Sequence, residues 1–140
     1  NAVIFQIRPT NDALYESEIN PWSSFLSKDR KEDVNPGFDV LGYFIEKAKK
    51  HNIEVHAWMN PYRVTNRDLS KMGLTKLEYL NKLSERNYAR LHPELVIETK
   101  EHHLILDPAS KEVQQYLVDT VMEVANKYFN NNYVLSIVKK

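Results

Sequence analysis

Along the chain the spacing of apolar residues changes period several times, and each change marks an element. Residues 1–8 hold a near-continuous apolar run, Val3, Ile4, Phe5 and Ile7, closed by Pro9. Such a run predicts a strand buried on both faces, as in parallel sheets covered by helices. Alternation puts Gln6 and Arg8 on the face of Ile4, and Phe5 and Ile7 on the other. Residues 9–37 then lose all periodicity. They read as a long loop carrying Asn11, Asp12, Tyr15 and Trp22, with a charged stretch at 28–33 that reads as a solvated tip. A loop this long in a compact domain is usually functional, and its aromatics argue against disorder. From 39 to 51 the period becomes helical. Leu41, Phe44, Ile45 and Ala48 repeat at i, i+3, i+4 and i+7 behind the N-cap candidate Asp39. Alternation returns at 53–58, where Ile53, Val55 and Ala57 interleave with Glu54, His56 and Trp58. Strand, helix and strand make a βαβ unit with parallel strands.

The second half repeats this alphabet. Residues 59–74 form a polar loop. Residues 75–89 read as one helix opened by the capping box Thr75 to Glu78 and stopped by His92-Pro93. Two short apolar runs, 95–98 and 104–107, flank a polar turn and predict an inserted hairpin. Ser110 caps a long helix to about Phe129, with Val113, Leu117, Val121, Val124 and Tyr128 on one stripe. Residues 130–132 end it, and residues 133–138 read as a third apolar strand. The order predicts an α/β fold of about three parallel strands with covering helices and an inserted hairpin, in a single domain over 1–140. A piece of a (β/α)8 barrel and a small doubly wound sheet both fit. In either, chemistry gathers at the C-terminal ends of the strands.

Composition narrows the function classes. Lys plus Arg and Asp plus Glu are 19 each, so the formal net charge is zero. Nucleic-acid and anionic-membrane partners, which ask for a basic excess, are not expected. With no cysteine, thiolate metal sites and thiol nucleophiles are excluded, and three glycines leave no phosphate-cradling loop. No apolar run is long enough to span a membrane. The apolar run begins at Ala2, with no leader before it, which suggests a chain cut from something longer.

Candidate chemistry collects where strands exit. Gln6-Ile-Arg8-Pro-Thr10-Asn11-Asp12 leaves the first strand, and Arg8 with Asp12 either pins the loop or grips a ligand. His56-Ala-Trp58-Met-Asn60-Pro-Tyr62-Arg63 leaves the second. An indole face with amide, phenol and guanidinium donors suits a pyranose ring, whose C–H face stacks on aromatics while its hydroxyls need planar polar partners. Asp107 either caps the following helix or contacts a ligand. Tyr15 and Trp22 either line a groove or close the long loop. His102 and His103 point opposite ways in a strand, so no metal is expected, and no cofactor motif is present.

These residues carry a resemblance. Ala2-Val-Ile-Phe-Gln-Ile-Arg-Pro9, Asp12-Ala-Leu-Tyr15, Asn20-Pro-Trp-Ser23, Pro36-Gly-Phe-Asp39, His56-Ala-Trp-Met-Asn-Pro-Tyr-Arg63, His92-Pro93, Leu106-Asp-Pro108 and Glu112-Val113 stand in the order and spacing of the glycosyl hydrolase-like 10 family. The likeness runs from residue 1 to about 129. It implies a partial (β/α)8 barrel and a hydrolase acting on bacterial cell-wall glycan of peptidoglycan type. It also implies export or attachment to the cell envelope. Gln6, Arg8, Asp12, His56, Trp58, Asn60, Tyr62 and Arg63 match family motifs and become substrate-binding candidates. The family's next strand carries two adjacent aspartates, the usual catalytic candidates. Here Ser136 and Ile137 take their places, and the last acid in the chain is Glu123. Glycoside hydrolysis ordinarily needs two carboxyl groups flanking the bond. Asp12 and Asp107 are the remaining catalytic candidates. The expectation is a hydrolase-like chain inactive alone, or alternatively a non-catalytic carbohydrate-binding module. A full barrel takes about 250 residues, so 140 residues predict an open sheet edge that a second copy of the chain could cover.

Overall fold

The computed structural model describes residues 1–129 and the backbone of residues 134–137. Three strands form a parallel sheet in the order β1-β2-β5: β1 (Ala2–Arg8), β2 (Glu54–Met59) and β5 (Val134–Ile137). Register runs from Ala2 against Glu54 to Gln6 against Trp58, then slips so that Arg8 meets Met59. β5 follows β2 with His56 beside Val134 and Trp58 beside Ser136. The predicted βαβ unit and third parallel strand are present. The expected end of the last helix at 130–132, and the outer ends of the last strand at 133 and 138, lie outside the described residues.

α1 (Val40–Lys50) joins β1 to β2, and Asp39 caps it by accepting from the Gly42 N–H at 3.1 Å. Its Leu41 packs with Ile7, Ala57, Met59 and Val124, the last from α5 (Lys111–Tyr128). Both long helices therefore cover the same face of the sheet. The other face has no cover among the described residues, which corrects the expectation of two-sided burial. Ile4 is 66% exposed, and its face also carries Gln6, His56 and Trp58 through the parallel register.

Between β2 and α5 the chain builds a second layer. α2 (Leu69–Met72) lies inside the expected loop, closed by Gly73 at φ +65°. The helix expected over 75–89 is two: α3 (Lys76–Lys82) and α4 (Tyr88–Leu91). The predicted Thr75–Glu78 capping box opens the first. The break follows from Asn87, whose side chain accepts from the Ala89 N–H and starts a new helix. The hairpin is formed by β3 (Val96–Glu98) and β4 (Leu104–Leu106), antiparallel as predicted. This layer has its own core, centred on Leu80, Val96, Leu104, Leu106, Val113 and Tyr116.

Candidate functional site

Arg8 ends β1 fully buried. Its Nη1 donates to the Asn60 carbonyl at 2.5 Å and the Pro61 carbonyl at 3.1 Å. Its Nη2 donates to Asn11 Oδ1 at 2.5 Å and to the Tyr116 hydroxyl at 3.1 Å. The expected Arg8–Asp12 pair is thus replaced by Asn11 and two carbonyls. Asp12 accepts from the Thr10 N–H at 3.0 Å. Burial pushes its carboxyl up. Hydrogen bonds from Ser23 and Thr10 and the Arg8 charge pull against that rise.

The first network ties three elements together. Asn60 Nδ2 donates to the Pro9 carbonyl at 2.8 Å, and Trp58 Nε1 donates to Asn60 Oδ1 at 3.1 Å. Tyr116 of α5 bonds Asn20 of the long loop, and Tyr88 stacks on Tyr116 with ring centroids 3.9 Å apart. Arg8 and Asn60 are therefore sealed inside this framework and position what surrounds them. Gln6, His56, Trp58, Tyr62 and Arg63 keep partly exposed side chains. Tyr15 and Trp22 are buried and close the long loop, joined by the bridge between Ala13 and Trp22. Asp107 does not cap α5. It accepts from the Ala109 N–H at 2.9 Å in the turn before the helix, and Ser110 is the cap.

Of the stretch 28–33, Lys28 to Lys31 are exposed, as expected of a solvated tip, and Glu32 and Asp33 are the part that turns inward. Arg30 and Asp33 adopt left-handed backbone, with φ of 56° and 62°. These two turns bring Glu32 back onto the segment linking α3 to α4. Its carboxylate accepts from the Ser84 N–H at 2.8 Å and from Asn87 Nδ2 at 3.1 Å. Asp33 takes Arg86 Nη1 at 2.8 Å. Burial raises the Glu32 carboxyl to about 7, the Asp12 and Asp33 charges add to the rise, and its hydrogen bonds oppose it. A charged tip is ordinarily solvated. Here the signal that it folds back is Asn87, a helix-starting amide inside an apparently continuous helical stretch.

Three concavities line the strand-exit side and share walls. The first, about 490 Å³, lies between Met59, Pro61 and Tyr62 and the Leu117–Val121 face of α5. The second, about 580 Å³, runs from Tyr62 and Arg63 past Asn66 to His103 and Pro108. The third, about 180 Å³, lies between the long loop and α3 and again includes Asn66. Tyr62 lines both the first and the second, and Asn66 both the second and the third. His102 Nδ1 sits 2.9 Å from Glu98 Oε1. Among the described residues no three His, Asp or Glu side chains converge as metal ligands.

Polar and aromatic groups thus stand at the exits of parallel strands, the end where sites of parallel α/β folds gather. The family described as glycosyl hydrolase-like 10 matches residues 1–131, and the chain belongs to it. It is 42% identical over 128 residues to "Glycosyl hydrolase YngK" of Bacillus subtilis (strain 168), covering 91% of this chain and 23% of that protein. It is 35% identical over 130 residues to "Glycosyl hydrolase DigH" of Escherichia coli (strain K12), covering 91% and 28% respectively. A DigH of Shigella flexneri matches equally. The chain thus spans about a quarter of the length of the curated relatives it matches. Among the described residues no helix is long and apolar enough to cross a membrane.

Proposed function

We propose that this chain forms the opening part of a (β/α)8 glycosidase barrel whose strand-exit face receives a bacterial cell-wall glycan of peptidoglycan type, at the cell envelope. The observation that carries this reading is the uncovered sheet face bearing Gln6, His56 and Trp58, followed in the chain by the loop whose Tyr62, Arg63 and Asn66 line a concavity. In a barrel that face would be the interior, and the strand exits would be the catalytic side. Trp58 supplies the stacking surface. Tyr62, Arg63 and Gln6 supply hydrogen bonds to ring hydroxyls, while Arg8, Asp12 and Asn60 hold the loops that present them. On this reading the exposed sheet edges are covered by further strands of the barrel or by a second copy of the chain.

A second reading is a glycan-binding module without turnover. It is favoured by the two acids singled out from the sequence, since Asp12 and Asp107 are both engaged in loop turns. The two readings separate in one assay. The full chain is incubated with peptidoglycan glycan strands and chitin-type oligosaccharides, and binding and released products are measured. Binding that Trp58→Ala weakens about tenfold is expected from either reading, given the worth of a buried aromatic contact. Released products decide for the hydrolase, and binding without them decides for the module. A chain that binds no glycan at all defeats both.

A further inference from the structure

The long loop is tied across a neck of its own. The Asp33 N–H donates to the Trp22 carbonyl at 2.8 Å, and the Trp22 N–H donates to Asp33 Oδ1 at 3.3 Å. Residues 22–33 thus leave and return at one point, which is the form of an Ω-loop. On the return limb Arg30 and Asp33 hold left-handed backbone, a conformation that persists in non-glycine residues where surrounding contacts impose it.

One short segment supplies those contacts. In residues 83–87, between α3 and α4, the Ser84 N–H donates to Glu32 Oε2 at 2.8 Å, and Asn87 Nδ2 donates to both Glu32 oxygens at 3.1 Å. Arg86 Nη1 donates to Asp33 at 2.8 Å, while its Nη2 reaches the Ser17, Glu18 and Asn20 carbonyls at 3.1, 3.2 and 3.4 Å. Beyond this clasp the loop and α3 stand apart across a space of about 180 Å³, walled by Thr10 past the β1 exit and by Phe25, Glu32 and Tyr79. A well-packed interior leaves no gap of that size. The loop is therefore fastened at its neck rather than seated along its length.

We propose that residues 22–33 are a lid over the exit of β1, latched to residues 84–87 through the Glu32 carboxyl and released when that carboxyl ionises. Closed, the lid screens Thr10. The surroundings of Glu32 supply the release. It is faced by Asp33 beside it, by Asp12 from the loop after β1, by Tyr79 and Lys82 from α3, by Arg30 across the pocket, and by Arg86, which Asp33 holds. Among the described residues its hydrogen-bond donors, Ser84 and Asn87, are neutral. Ionised, it is a half-buried carboxylate beside two further acids. Burial first, and then these acids, raise its carboxyl to about 7, against an ordinary 4.5 that an open loop would restore. The closed lid thus binds the proton more tightly. Closure is favoured in full below pH 4.5, and that advantage is lost as pH rises through 7.

The Ser84 amide has Glu32 as its acceptor, so its hydrogen exchange reports the latch. The full chain is followed at pH 5 and pH 8, with and without low urea, each rate corrected for intrinsic exchange. The Ser84 amide should be less protected than the amides of β2 and nearly flat in urea, where those of β2 fall steeply, because local opening exposes little surface. Its protection should drop about tenfold or more from pH 5 to pH 8. Glu32→Gln keeps an oxygen for both donors and should abolish the drop. Arg86→Ala should lower Ser84 protection at both pH values and leave the drop in place. In the cysteine-free chain, spin labels on Lys28→Cys and Lys82→Cys should show a longer distance at pH 8, most clearly with Arg86→Ala. Ser84 protection equal to that of β2 and as steep in urea overturns the lid. So does a wild type without the drop, a drop that survives Glu32→Gln, or a label distance that stays fixed at pH 8 in Arg86→Ala.

Discussion

Around Arg8 the acceptors are backbone carbonyls and the Asn11 amide oxygen, with the Tyr116 hydroxyl, and among the described residues no carboxylate hydrogen-bonds the guanidinium. Around Glu32 the donors are a backbone N–H and the Asn87 amide, and among the described residues no cation hydrogen-bonds the carboxylate. Both clusters hold a charge-bearing group with neutral dipoles, yet they answer burial differently. A guanidinium cannot shed its charge, so its burial is met by acceptors, here on both Nη atoms. A carboxyl can take up a proton, and burial moves it toward that outcome. The first cluster is consequently a fixed joint and the second a titratable one. Asn87 bridges them, donating to the Asn11 carbonyl and to Glu32 while its Oδ1 receives Asn11 Nδ2 at 2.9 Å.

The contrast is broken most severely at Arg8. Arg8→Ala leaves the buried Asn60 and Pro61 carbonyls without this donor and takes one of two donors from Asn11 Oδ1, and we expect a loss of about 3–5 kcal/mol in urea unfolding. A loss under about 1 kcal/mol would mean that the joint is not structural. Asn87→Ala removes a helix start and the bridge between the clusters, with an expected cost of about 2–3 kcal/mol by the same measurement. Thr75→Ala, which touches neither cluster, should cost about 1 kcal/mol through its cap alone. Glu32→Gln should change stability least at pH 5, where the wild-type carboxyl is mostly protonated in the folded state. Its effect is on the pH profile. The folded carboxyl titrates at about 7 against an ordinary 4.5, so the folded state binds the proton more tightly. The stabilisation is full below pH 4.5 and is lost as pH rises through 7. Thermal unfolding of the wild type should therefore weaken between pH 5 and pH 8, and Glu32→Gln should flatten that decline.

Local pattern made the strands, the helix starts and the hairpin legible, because their causes lie within a few residues of one another. Asp39, Thr75 and Ser110 each cap a helix where the sequence places them. Partners far along the chain escaped it. Glu32 meets Ser84 across fifty-two positions, and no periodicity encodes that meeting. The helix expected over 75–89 failed for a related reason. Leu80, Leu83 and Ala89 keep apolar spacing because all three face one core, although the backbone between them is interrupted. The site was legible as a set of residue types at strand exits. Which of them are sealed and which stay open depends on layers that cover one sheet face only. Arg8 looked like a ligand-gripping group because its chemistry permits that role. Its burial against the Asn60 and Pro61 carbonyls gives it another.

The chain has two tryptophans, and the fold puts them in opposite surroundings. Trp22 is 9% exposed inside the closed long loop, whereas Trp58 remains partly open on the uncovered sheet face. Their emission should therefore separate by environment, with a blue, poorly quenched component from Trp22 and a redder one reached by iodide from Trp58. A sugar that covers the strand exits would shield only the second component, and opening of the long loop would shift only the first. The protein thus carries its own two-colour reporter, which can distinguish occupancy of the strand exits from loosening of the loop beside them.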